Sequence, residues 1–424
     1  MGRCGTQASA QSAEDLLCLL EDCTAIDSGD DFTELGMIEK EKVDSTPSIA
    51  VYNSVLNAWA RTGKETKDDR VALLSAQRAE TLLRNMAENG HDANGSVPPL
   101  PSVTSFFTVI DAWARASSVA ASKGNISGGQ TAAEHAEALL NELQAQRFEY
   151  CPITASCFGS AIKAWACLSG KSRSSGGHAA RAQSVLERMV EESNACRRTR
   201  GSSDLIHFNS VLDAWVRDLA TMASSNKSDN IISIISNVHA MLMKMHKGGY
   251  HQYNIEPDTS SFNHVIRACY TPWMSANKHS DNKSAQSNAM ELALDTYRQM
   301  GIDNSSLNRA DAHTYSHLFK AIACLIPSAS SDVDNTIERI NLCKTVFEAC
   351  CRDGQLTKTS FWVLRKTFQD ESEFIEFLLP QVSSYVEASK DKLLSIPEGN
   401  LFNLLPAEWS RNGRKYNSLN SHMQ

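Results

Sequence analysis

An all-α solenoid, built from stacked antiparallel helix pairs, is the fold this 424-residue sequence predicts, on three observations. One phrase recurs six times, the recurrences keep a 50- to 54-residue spacing, and a second helical phrase follows each first one. The first phrase runs Tyr52-Asn53-Ser54-Val55-Leu56-Asn57-Ala58-Trp59 and returns around Phe106, Phe158, Phe208, Phe262 and Tyr315. In every copy the aromatic stands six residues before an alanine (58, 112, 164, 214, 268 and 321). A period of that size marks an array of supersecondary units, not one conventional core.

Each first phrase reads as an amphipathic helix. Tyr52, Val55, Leu56 and Trp59 fall at i, i+3, i+4 and i+7, and the apolar residues do not alternate as a half-buried strand requires. Pro47, Pro101 and Pro257 lie eleven residues ahead of their alanines, where a turn would lead into a helix N-terminus. The second phrase, Ala79-Glu80-Thr81-Leu82-Leu83-Arg84-Asn85-Met86, is repeated at Ala136 and Ala182 and kept in spacing around Val238, Ala293 and Cys343. Tryptophans 59, 113, 165 and 215 share the apolar face of their helices, which predicts packing between repeats over a role as base-stacking platforms.

The connectors 117–131, 169–177, 221–230 and 275–288 are rich in Ser, Gly, Asn and Lys and are expected to be solvated loops. Residues 1–46 predict a partial repeat, since Ala13-Glu14-Asp15-Leu16-Leu17 matches the second phrase, followed by a linker. Residues 47–354 hold about six repeats, and 355–424 a degenerate repeat beginning at Phe361 with a C-terminal cap. The opening Ala13 phrase is either an N-terminal cap or the remainder of a unit begun upstream. Met1-Gly2-Arg3-Cys4-Gly5-Thr6 fits the short myristoylation pattern, which chance supplies often.

Composition narrows the function. No apolar run approaches the 18 residues of a membrane span. The twelve cysteines form no CxxC pair, and Cys157, Cys167, Cys269, Cys324, Cys343 and Cys350 fall in or beside helical phrases, which predicts buried thiols. A net charge of −8 argues against a broad electrostatic grip on nucleic acid but leaves room for a local basic stripe. No phosphate loop, nucleophile elbow, His-Glu-x-x-His pair or deaminase signature is present, so no catalytic residue, metal or cofactor is expected. Asp370, Glu371 and Glu373 read as solvated surface.

A polar stripe runs beside the apolar face. Asn53, Asn57 and Arg61 lie at i, i+4 and i+8, as do Asn209, Asp213 and Arg217, and Asn263, Arg267 and Thr271. An amide can donate to and accept from a base edge, and an arginine two turns on can meet a phosphate. Basic residues recur there at Arg61, Arg115, Lys163, Arg217, Arg267 and Lys320.

The Tyr/Phe-Asn-x-Val/Ile-Leu/Ile-x-Ala phrase, the Pro257-Asp258 pair and the Ala-Glu-x-Leu-Leu-x-x-Met second helix resemble pentatricopeptide repeats, over about residues 47–367. The period is longer than that family's, as in divergent, insertion-bearing members. The resemblance implies single-stranded RNA bound along a superhelical groove, one base per repeat. It further implies readers of two types. The first are Asn53, Phe107, Gly159, Asn209, Asn263 and Ser316; the second are Ser102, Asp204, Asp258, Asp311 and Thr357. Asn209 with Asp258 and Asn263 with Asp311 match the family's uracil-favouring pairing, and Asn53 with Ser102 its cytosine-leaning one. Phe107 and Gly159 depart from the pattern. The family also implies a mitochondrial or plastid setting, though no transit peptide is visible, and service in RNA processing, stability or translation. The alternative is a protein-binding scaffold without RNA, favoured by the acidic charge and the two non-polar reader positions.

Overall fold

The computed structural model describes residues 6–27, 47–88, 99–146, 153–171, 177–196, 203–222, 228–247, 255–274, 283–300, 308–326, 333–383, 393–396 and 398–413. Among these, every regular element is helical. The six first phrases lie on α2 (Ile49–Glu65), α4 (Val103–Ser122), α6 (Ala155–Ala166), α8 (Ser203–Met222), α10 (Thr259–Tyr270) and α12 (Ala312–Leu325). The second phrases lie on α1 (Gln7–Asp27), α3 (Asp69–Glu88), α5 (Ile126–Gln146), α7 (Gly177–Cys196), α9 (Ser228–His246), α11 (Lys283–Gln299) and α13 (Val333–Arg352). Phe361 begins no full repeat: its helix, α14 (Lys358–Arg365), is short and is followed by α15 (Glu371–Val382). The myristoylation-like Met1–Thr6 stretch lies, but for Thr6, outside the described residues.

The chain divides into two compact units, Met1–Ala214 and Trp215–Gln424, with the boundary inside α8. In the first unit α2 packs on α1 and α3, α4 on α3 and α5, and α6 on α5 and α7, while α2, α4 and α6 also touch in succession. In the second unit α10, α12 and α14 form the same kind of succession, with α9, α11 and α13 against them. The alanine of the phrase allows these approaches: Ala112, Ala164, Ala268 and Ala321 are all buried.

Three of the four phrase tryptophans are both core and tether, and the fourth, Trp215, is half-buried. Trp59, Trp113 and Trp165 are buried, and each indole Nε1 donates to a glutamate of the preceding second helix: Glu14 at 2.9 Å, Glu80 at 2.8 Å and Glu137 at 2.9 Å. These carboxylates are the Glu of the Ala-Glu-x-Leu-Leu phrase. A buried indole N–H needs an acceptor, and the glutamate provides one without water. The arrangement is reinforced on its outer side. His135 stacks on Trp113 with centroids 4.5 Å apart and bonds Glu80 at 2.9 Å, while Arg181 lies 5.6 Å over Trp165 and Arg188 meets Glu137 at 3.0 Å.

Two sequence expectations need correction. The stretch 117–131 is no solvated loop: α4 continues to Ser122 and α5 starts at Ile126, leaving only a turn at 123–125. Ser117 is buried because its hydroxyl bonds the Ala164 carbonyl at 2.9 Å, and Asn125 reaches Asp69 at 2.7 Å. Gly124, at φ 82°, supplies the left-handed turn. Likewise α11 already covers 283–288, and α8 and α9 take the ends of 221–230; 172–176, 223–227 and 275–282 lie outside the described residues.

The acidic residues near α15 are not merely solvated. Asp370 caps α15 through the Glu373 N–H at 2.9 Å, and Glu371 pairs with Arg365 at 3.3 Å. Glu373 holds the buried Arg339 guanidinium at 2.8 Å, which also donates to the Thr367 carbonyl and lies 5.9 Å from the Phe368 ring. Around it Phe347, Phe361, Phe368, Phe374 and Phe377 meet edge-on or tilted. The thiols follow expectation in part. Cys157, Cys269, Cys343 and Cys350 are buried, Cys167 and Cys324 half-buried, and no disulfide occurs among the described cysteines. Burial pushes the Cys269 thiol up to about 12 and Cys343 to about 11.

Candidate nucleic-acid interface

Four of the five residues of the second type turn out to be helix caps, while Asp204 lies inside α8. Ser102, Asp258, Asp311 and Thr357 are the N-cap residues of α4, α10, α12 and α14. Each accepts from the backbone N–H three residues on, at Ser105, Ser261, Thr314 and Ser360, and each of those hydroxyl residues bonds back to the cap's own N–H. This is a capping box with Ser or Thr in place of the usual Glu, and it satisfies two backbone donors that the helix leaves over. The prolines at 101 and 257 stand one residue before the cap, where the missing N–H costs nothing.

The first type of reader sits one turn into α2, α4, α6, α10 and α12. In the second unit this brings two predicted residues together: Asn263 Nδ2 on α10 lies 3.2 Å from Asp311 Oδ1 at the start of α12. Thr314 also bonds Oδ1, through its N–H at 2.8 Å and its hydroxyl at 2.9 Å, so these three contacts of the carboxylate all fall on one oxygen. Asn263 Oδ1 is buried and accepts no hydrogen bond. The pair lines a groove of about 300 Å³ with Arg267, His264, His313 and His317. His317 accepts from, or donates to, the Tyr270 hydroxyl at 2.8 Å. Burial, helped by the nearby Lys320, Arg267 and His313 charges, pushes His317 down to about 3, so it is neutral at pH 7.

The first unit arranges the same positions differently. Asn53 Oδ1 accepts from Ser105 Oγ at 2.7 Å, and Ser105 is itself tied to the Ser102 cap. The amide is thereby joined to a structural chain instead of an open edge. Gly159 is buried, and the space a Cβ would fill belongs to the His207 ring of α8, whose Cε1 would lie 2.0 Å from it. Phe107 is half-buried. One helical turn on, Asp111 pairs with Arg115 at 2.6 Å and accepts from Ser160 at 3.3 Å, so the Arg115 charge is compensated locally.

The remaining predicted residues distribute as follows. Asn209 is half-buried on α8 in the first unit, whereas its predicted partner Asp258 and the half-buried Arg217 belong to the second. Arg61 and Lys163 are exposed. Ser316 is buried, which withdraws it from a ligand. Lys320 on α12 repeats the register of Arg267 on α10, and the exposed Lys366 repeats it after α14. Lys366 and the capping boxes went unnoticed in the sequence; the signal was Ser/Asp/Thr three residues before Ser/Thr at the start of α4, α10, α12 and α14. Among the described residues no group of His, Cys, Asp and Glu could hold a metal ion, and no helix is long and apolar enough to cross a membrane. No family model, no curated protein and no solved structure matches the chain.

Proposed function

We propose that this chain is a pentatricopeptide-like helical-repeat adaptor, an α-solenoid that binds single-stranded RNA along its first helices. The observation that carries the reading is the meeting of Asn263 and Asp311 at 3.2 Å, an amide and a carboxylate from successive first helices, in a groove that also holds Arg267. An amide beside a carboxylate offers both a donor and an acceptor to a base edge, and the base whose edge the resemblance assigns to Asn with Asp is uracil. Arg267, Lys320 and Lys366, at one register of α10, α12 and α14, supply cations for a phosphate backbone. The adaptor would select a transcript for processing, protection or translation, in a mitochondrion or plastid as the resemblance implies.

The test is binding of the purified chain to short single-stranded RNAs of each base at two salt concentrations, beside Asn263→Ala. Uracil-preferring, salt-sensitive binding whose base preference disappears in the variant supports the reader. Absence of binding to every RNA near physiological salt overturns it. A second reading, a scaffold gripping a protein partner, is favoured by the filled positions of the first unit at Gly159 and Asn53. It would surface as RNA-independent partner binding.

A further inference from the structure

Four arginines apart from the Asn263–Asp311 groove line a second one. Arg298 near the end of α11, Arg309 just ahead of α12, Arg352 at the end of α13 and Arg411 line one groove of about 660 Å³ with Tyr297 and Asp353. In a chain whose net charge is −8, four guanidiniums there face one carboxylate. That carboxylate is already engaged: Asp353 accepts from the Tyr315 hydroxyl and lies 3.6 Å from Arg352. No carboxylate among the described residues pairs with Arg298, Arg309 or Arg411.

Helix-dipole balance accounts for two of the four. Arg298 and Arg352 stand at helix C-termini, where a cation is favourable. Arg309 stands on the N-terminal side of α12, where the dipole disfavours it, and Arg411 ends no long helix. Arg411 is nonetheless held in place. Its Nη2 bonds the Arg352 carbonyl at 3.4 Å, and the N–H groups of Asn412 and Gly413 both bond the Gly354 carbonyl, at 2.9 and 3.1 Å. Gly354 has φ 67°, and a Cβ there would lie 2.6 Å from Arg411 Cγ, so glycine provides both the turn and the passage for the side chain. An anion entering this groove meets four guanidiniums and a single carboxylate, and planar forks suit phosphate oxygens.

We propose that this groove binds a polyphosphate group, carried either by a free polyphosphate anion or by the 5′-triphosphate end of a nucleic-acid strand. The site stands whether or not the first helices read RNA. Calorimetry of the full chain with sodium tripolyphosphate at low ionic strength tests it, alongside Arg298→Ala/Arg309→Ala and a charge-matched control, Arg70→Ala/Arg78→Ala on α3. Saturable one-to-one binding is expected, weakened roughly tenfold or more in the groove variant and unchanged in the control. Oligouridylates with a 5′-triphosphate or a 5′-hydroxyl distinguish the sources. A gain from the triphosphate that the groove variant abolishes assigns the strand end; no gain, with tripolyphosphate binding intact, assigns the free anion. Absence of saturable tripolyphosphate binding, or an equal loss in the control, overturns the proposal.

Discussion

The two units spend the same positions on opposite ends. In the first, the residue after the phrase aromatic is consumed by structure: Asn53 by Ser105, Gly159 by the His207 ring. In the second, Asn263 and Asp311 meet at the mouth of a groove, and Asp311 keeps one oxygen outside its cap. The fastenings differ too. The first unit ties successive helices by buried Trp–Glu bonds and the second by a hydroxyl–imidazole contact, Tyr270 to His317, while a hydroxyl–carboxylate contact of the phrase aromatic occurs in both, Tyr52 to Glu21 and Tyr315 to Asp353. A repeat sequence thus conserves the helix pair while its polar positions are reassigned between fastening and binding.

The largest expected effect tests that division directly. Asn263→Ala/Asp311→Ser, in which serine still caps α12 as Ser102 caps α4, should weaken uracil-rich RNA by roughly 30- to 100-fold. Asn53→Ala should change it by less than about twofold. Fluorescence anisotropy decides, and equal losses would erase the distinction between the units.

A smaller effect probes the filled position. Gly159→Ala sets a methyl 2.0 Å from His207 Cε1 and should cost roughly 2 kcal/mol in denaturant unfolding, as overpacking does. In a His207→Ala background most of that cost should vanish. Additive costs would mean the ring does not fill the slot.

The helix pairs were legible because packing leaves a period in the sequence: an aromatic, a small alanine and an apolar stripe recur wherever one helix must lie on the next. The Trp–Glu bond was equally written there. Glu14, Glu80 and Glu137 precede Trp59, Trp113 and Trp165, whereas His239 and Leu294, in the same register, precede Cys269 and Ile322. The fourth phrase tryptophan, Trp215, has Gln183 in that register. The connector at 117–131 was misread because Ser117 and Asn125 look solvent-seeking until their partners, Ala164 and Asp69, come from other helices. The acidic run before α15 failed for the same reason, since Arg339 lies more than thirty residues upstream of Glu373. At the candidate site the residue types were legible, but not whether a given amide faces solvent or Ser105. That depends on the neighbour's third helical residue.

Acid should loosen the second unit before the first. His317 titrates at about 3 in the folded chain against 6.5 unfolded, so the unfolded state binds the extra proton between those values. Its cost is absent at pH 7 and grows as pH falls below 6.5, reaching about 1.4 kcal/mol near pH 5.5. His317→Asn should flatten the dependence between pH 6.5 and 5.5, measured as unfolding midpoints. An unchanged slope would show that His317 is not the responsible group.

The smallest effect separates cap from reader. Ser102→Ala removes the acceptor for the Ser105 N–H, the first link of the chain that ends at Asn53, and an N-cap lost to alanine costs about 1 kcal/mol. If the first unit uses this position for fastening, the variant loses stability by that amount and binds RNA as the parent does. Ser102→Asp gives the converse check. A carboxylate caps at least as well as a hydroxyl and sits favourably at the N-terminus of α4, so stability should hold. It also recreates beside Asn53 the Asn–Asp pairing found at Asn263 and Asp311. Should that substitution bring a new uracil preference, the first unit differs from the second by its capping residue; should it bring none, the Ser105 bond to Asn53 is what closes the position.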